Sequence, residues 1–127
     1  MATLNEIYVC SRCGNLVESV GYGKGELVCC DIPMVLQVAQ TADSAVEKHV
    51  PVIGAKDGGS LVTVGSVPHP MDEDHYICWI EIINGDYVNR KYLLPGQAPE
   101  AAFWVKAMPG MVLREYCNVH GLWEYKV

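Results

Sequence analysis

Two groups of residues in this 127-residue chain could hold metal. In Glu115-Tyr116-Cys117-Asn118-Val119-His120-Gly121, two residues separate a thiol from an imidazole. At that spacing both can reach one ion from a single tight loop, and Gly121 lets the backbone turn after the second. The other group is Cys10-x-x-Cys13 with the adjacent pair Cys29-Cys30. Four thiolates suit tetrahedral iron or zinc. Zinc ribbons usually offer two Cys-x-x-Cys knuckles. Adjacent cysteines must instead bring two diverging side chains to one ion, so a distorted tetrahedron is expected. These residues leave iron and zinc open, and a purely structural zinc ribbon stays a competing reading.

The remaining histidines are His49, His69 and His75. Taken singly, each reads as an ordinary surface or hydrogen-bonded histidine. Each also lies beside a turn or strand end, where loops can converge: His49 before Val50-Pro51, His69 inside Pro68-His69-Pro70, His75 after Asp72-Glu73-Asp74. If all four gather with Cys117, five strong donors exceed the four of structural zinc and do not match the two His, one Cys and weak axial ligand of blue copper. They suit an octahedral iron with one position open, and a thiolate would push electron density onto it.

The elements that must position these residues are mostly strands. Half the residues are hydrophobic, and 12 Gly and 7 Pro with abundant Val and Ile favour strands and turns. Residues 7–36 read as a small knuckle too short to bury much core, so something else must hold it together. Beyond it, candidate strands recur at 50–53, 60–67, 75–83, 87–94, 101–106, 111–116 and 122–127. Asp57-Gly58-Gly59, Asn84-Gly85-Asp86, Pro95-Gly96 and Met108-Pro109-Gly110 punctuate them. This spacing predicts an antiparallel β-sandwich. The chain divides into residues 1–37, a linker at 38–46, and residues 47–127. Cys78, on a face with Tyr76, Ile80 and Ile82, reads as a small buried hydrophobe.

A formal charge of −6 argues against general nucleic-acid or anionic-membrane binding. No apolar run approaches the roughly 20 residues of a membrane span, and no secretory signal is visible. Six cysteines in that setting point to a reducing compartment, where clustered thiols more often hold metal than pair.

In order, spacing and identity these motifs resemble a known family. Cys10-x-x-Cys13 with Cys29-Cys30 resembles the desulforedoxin-like N-terminal domain. Glu47-Lys48-His49-Val50-Pro51, Gly65-Ser66-Val67-Pro68-His69-Pro70-Met71 and Glu115–Gly121 resemble the iron domain of desulfoferrodoxins, the two-iron superoxide reductases. The resemblance spans nearly the whole chain. It implies one iron at Cys10, Cys13, Cys29 and Cys30, and a second held equatorially by His49, His69, His75 and His120 with Cys117 axial. No haem and no labile sulfide are implied. The implied fold is an immunoglobulin-like β-sandwich after the small domain, usually in a homodimer, and the implied location is the cytoplasm. The implied reaction reduces superoxide to hydrogen peroxide with one external electron and two protons, without producing oxygen. A rubredoxin-like protein is the expected donor.

Superoxide is an anion, and this chain is acidic, so local focusing must steer it. Lys48 is the expected positive group, provided residues 46–49 form a loop rather than an extended strand that would point it away from His49. Glu47 resembles the family's carboxylate that fills the sixth position once iron is ferric. Two readings compete with catalysis: a two-iron electron carrier without turnover, and a colourless zinc-stabilised sandwich that binds partners.

Overall fold

The structure, a computed structural model, describes residues 2–42 and 49–127. Glu47 and Lys48 lie outside the described residues, as do residues 43–46 of the expected linker. The chain forms two compact units, Met1–Val38 and Ala39–Val127. Among the described residues every regular element is a strand.

In the small unit, β1 (Ile7–Val9) lies between β2 (Leu16–Glu18) and β5 (Val35–Leu36) in an antiparallel sheet, and β3 (Val28–Cys29) pairs with β4 (Ile32–Pro33). Ile7 and Cys10 are its buried residues among those described. Two side chains make no core, so this unit depends on bonds at its cysteines.

The large unit is a sandwich of two antiparallel sheets. One runs β10 (Glu100–Phe103), β7 (Gly59–Val64), β6 (Pro51–Lys56). The other runs β12 (Gly121–Lys126), β11 (Val112–Cys117), β8 (Ile77–Asn84), β9 (Tyr87–Tyr92). The period-two pattern read from sequence chooses the faces. Val62 and Val64 of β7 and Ala101 of β10 meet Ile80 and Ile82 of β8 and Leu113 of β11 in one cluster. Gly59, expected in a turn, instead opens β7 opposite Lys56. A Cβ there would lie 2.1 Å from the Phe103 carbonyl oxygen, so the crossing of β10 requires glycine.

Cys78 departs from its expected place. Register slips between Tyr116 and Cys117, which pair with Trp79 and Ile77 respectively, leaving Cys78 as the extra residue of a β-bulge. Ile77 takes the core position and Cys78 is half-buried. Burial pushes its thiol pKa up, which keeps it an inert thiol.

The outer face of the four-stranded sheet holds a buried charge. Glu81 has no exposed surface. It accepts from Arg90 Nε at 2.8 Å on one oxygen and from Arg114 Nε at 2.6 Å on the other, with a further Arg90 contact to the first. Arg90 also lies over Trp79, 5.0 Å from the ring centroid. Because β9, β8 and β11 are adjacent, their register places the three charges side by side. Glu81→Ala leaves both guanidiniums without this carboxylate. It is expected to lower unfolding free energy by about 3 kcal/mol, measurable by denaturant titration.

Candidate metal centres

At the first centre, the four cysteine sulfurs lie within 4.8 Å of one another. Cys10 follows β1, and its backbone closes a knuckle: Cys10 N–H donates to Asn15 O and Gly14 N–H to Cys10 O, both at 2.9 Å. Cys13 N–H donates to Cys10 Sγ at 3.4 Å, and Asn15 Nδ2 to Cys29 Sγ at 3.6 Å. Cys30 and Asp31 form the two-residue loop of the β3–β4 hairpin, with φ of 54° and 60°. That left-handed pair is how consecutive cysteines serve one ion: it swings Cys30 back towards Cys29 instead of letting the side chains diverge.

The sulfur spacing fits a metal. Bonds of about 2.3 Å in a tetrahedron give sulfur–sulfur edges of about 3.8 Å; Cys13–Cys29 is 3.5 Å and Cys29–Cys30 is 3.9 Å. Charge points the same way. The Cys13 amide holds the Cys10 thiol down at about 6, whereas the neighbouring thiols, Cys13 first, push Cys30 up to about 12. Four thiolates share this space only around a cation.

The second centre lies at one end of the sandwich. His49 precedes β6, His69 sits in the loop after β7, His75 just precedes β8, Cys117 ends β11 and His120 lies in the turn to β12. One ligand atom from each lies within 4.8 Å of all the others. The imidazoles form a closed ring in the order 49, 69, 75, 120. Successive centroids are 4.5, 4.9, 5.1 and 4.9 Å apart, and all four contacts are edge-on. The Nε2 atoms of His49 and His69 are 2.9 Å apart. Metal–nitrogen bonds of about 2.1 Å at right angles place neighbouring nitrogens about 3.0 Å apart.

Second contacts fix these donors. His69 Nδ1 lies 2.8 Å from the Pro70 carbonyl oxygen, which can only accept. The proton is therefore on Nδ1, and the Nε2 lone pair points into the ring. Cys117 is fully buried and accepts from His120 N–H at 3.4 Å. Gly121 follows at φ 86°, making the turn foreseen for it. His49, His69 and Cys117 are buried, His75 is half-buried and His120 is exposed, so the ring opens to solvent on one side.

Three residues that the sequence reading did not single out also shape this end. Asn118 Oδ1 accepts from Tyr76 N–H at 2.9 Å, and its Nδ2 donates to Asp74 O at 3.0 Å. It thereby ties the Cys117–His120 turn to the loop carrying His75. An asparagine inside a ligand turn is the available signal. Gln40 and Trp123 reach the site from distant sequence positions, which no local pattern reveals.

Comparison with known proteins resolves the kinship. Residues 41–126 match the Desulfoferrodoxin family and residues 2–37 the Desulfoferrodoxin N-terminal domain. The chain belongs to the desulfoferrodoxin family. The desulfoferrodoxin of Nitratidesulfovibrio vulgaris is 54% identical over 119 residues, covering 94% of each chain. The superoxide reductase of Thermococcus kodakarensis is 32% identical over 112 residues, 74% of this chain and 97% of that protein. The crystal structure of the superoxide reductase from Treponema pallidum superposes with a TM-score of 0.74 at 26% identity, covering 95% of this chain and 97% of that one. In this desulfoferrodoxin the donor sets accord with two iron centres, one of four cysteines and one of four histidines and a cysteine.

Two outcomes follow at the four-cysteine centre. Asp31→Gly removes the side chain from a left-handed position and is expected to stabilise the iron-loaded unit by up to about 1 kcal/mol. Denaturant titration followed by visible absorbance checks this. Acid competes with metal for thiolates. Below about pH 6 Cys10 is protonated as well, so binding there releases one more proton. Metal affinity should therefore fall with falling pH, more steeply below about pH 6 than above it, in a competition titration against a chelator.

Proposed function

We propose that this desulfoferrodoxin is a superoxide reductase. Superoxide, one electron and two protons give hydrogen peroxide, with no dioxygen released. The observation that carries the proposal is the closed ring of four imidazoles with a buried cysteine beside it. Cys10, Cys13, Cys29 and Cys30 would hold one iron; His49, His69, His75, His120 and Cys117 would hold the other. When bound, this second iron would supply the electron and a place for superoxide to bind.

The chain's own residues do the rest. Cys117 would donate electron density to that iron and so favour its oxidation. The His120 amide, donating to Cys117 Sγ, takes up part of that density and keeps the buried sulfur charged. The Pro70 carbonyl holds His69 in the tautomer whose Nε2 carries the lone pair a metal would need. Lys48 collects the anion against the field of a chain of charge −6 and orders the water that delivers the protons. Glu47 would offer its carboxylate to the oxidised iron. Residues 1–37 carry a site that stores or passes electrons from a rubredoxin-like donor. The protein works in the cytoplasm as a homodimer.

Pulsing reduced protein with superoxide tests the reaction. One peroxide per superoxide and no dioxygen are expected. Dioxygen release, or consumption no faster than spontaneous decay, contradicts the proposal and favours a dismutase or a plain electron carrier. Lys48→Ile is expected to lower the bimolecular rate about tenfold and to flatten its salt dependence, read by stopped flow. Glu47→Ala is expected to abolish the pH dependence of the ferric thiolate absorption band; an unchanged pH profile removes Glu47 from the site.

A further inference from the structure

The ligand turn is held from outside by residues that touch no metal. β12 is an edge strand of its sheet, and its free edge begins just after His120. Gln40 covers that edge in a parallel bridge opposite Trp123. Its N–H donates to Leu122 O at 2.9 Å, and its carbonyl accepts from Glu124 N–H at 3.0 Å. Its side-chain amide adds two bonds, from Nε2 to His120 O at 2.7 Å and to Leu122 O at 3.5 Å. One exposed, uncharged side chain therefore grips the backbone of a ligand histidine.

Trp123, between the two strand positions that Gln40 pairs with, works on a second histidine. Its indole is 5% exposed and lies face to face with the His49 ring, centroids 4.6 Å apart and planes 11° apart. The imidazoles meet one another edge-on at 62° to 86°. The stacked indole is thus a flat wall against which His49 rests. Its Nε1 has no hydrogen-bond partner among the described residues, so stacking rather than hydrogen bonding orients the ring. His49 and His120 are adjacent corners of the imidazole ring, 4.9 Å apart.

We propose that Gln40 and Trp123 form a clamp that sets the orientation of His120 and His49, and that both are positioning residues of the four-histidine iron centre. Gln40 acts on His120 through its carbonyl and on His49 through the seating of Trp123. A histidine side chain has two free torsions, and a bond length is lost by a small swing of either. Residues that lock such rings outside the ligand shell typically change metal affinity by about 10- to 100-fold. The clamp rests on the assignment of His49 and His120 as ligands.

The test uses iron-loaded, full-length protein. Loss of iron from the ferrous form to an excess of a strong chelator is followed by the amplitude of the ferric thiolate band after reoxidation. The four-cysteine absorption serves as an internal reference. Gln40→Glu keeps the size and backbone bridge but replaces the donor with an acceptor facing two carbonyls. Trp123→Leu removes the flat wall, and Trp123→Phe keeps a stacking face. Iron loss about tenfold faster is expected for Gln40→Glu and Trp123→Leu, with a shifted or broadened ferric electron paramagnetic resonance signal. Trp123→Phe should stay near the parent. Parent-like retention and an unchanged ferric signal in Gln40→Glu overturn the clamp, even where Trp123→Leu fails to fold. Trp123→Phe losing iron as fast as Trp123→Leu also overturns it. Absence of the thiolate band from the parent itself overturns the ligand assignment, and with it the clamp.

Discussion

Everything at the catalytic end depends on four imidazoles and a thiolate meeting within a few ångströms. Like donors do not gather by themselves. Unprotonated ring nitrogens repel, and a sealed thiolate is costly without a cation. The chain brings them together by rooting each donor at a strand end of a sandwich that folds on its own core. β7, β8 and β11 have registers fixed by Val62, Ile80, Ile82 and Leu113, and β6 and β12 pair against β7 and β11. A one-residue slip in any of them would turn a core face outwards. The rigid sheets thus carry the burden of aiming, and the loops only complete it through Asn118 and the Pro70 carbonyl.

The two metal sites stand in opposite relations to their folds. The large unit has a contiguous apolar core and so presents a preformed ring of donors. The small unit buries only Ile7 and Cys10 among its described residues, and tolerates left-handed backbone at Cys30 and Asp31. There the metal organises the protein; at the sandwich the protein organises the metal.

Much of this was legible in the sequence because local chemistry carried it. Apolar runs at 60–67 and 75–83, and turn residues at 84–86, located strands. Cys-x-x-Cys, Pro-His-Pro and Cys-x-x-His marked the donors. What escaped was set by pairings far apart in the chain. The Cys78 bulge depends on how β11 meets β8, and the need for Gly59 on how closely Phe103 passes. Gln40 meets its partners some 80 positions away. Glu81 is sealed by two arginines from neighbouring strands, a pairing that register alone creates. The turn at Cys30 was missed for a different reason: a metal-bound cysteine occupies a position that turn statistics assign to Asn or Gly.

The central claim is that Cys117 binds the same iron as the four histidines. Visible absorption of the oxidised, iron-loaded protein beside its Cys117→Ser variant tests it most directly. A thiolate-to-iron band is expected in the parent and absent from the variant, while the four-cysteine absorption persists in both. An identical spectrum in the two proteins would contradict the claim.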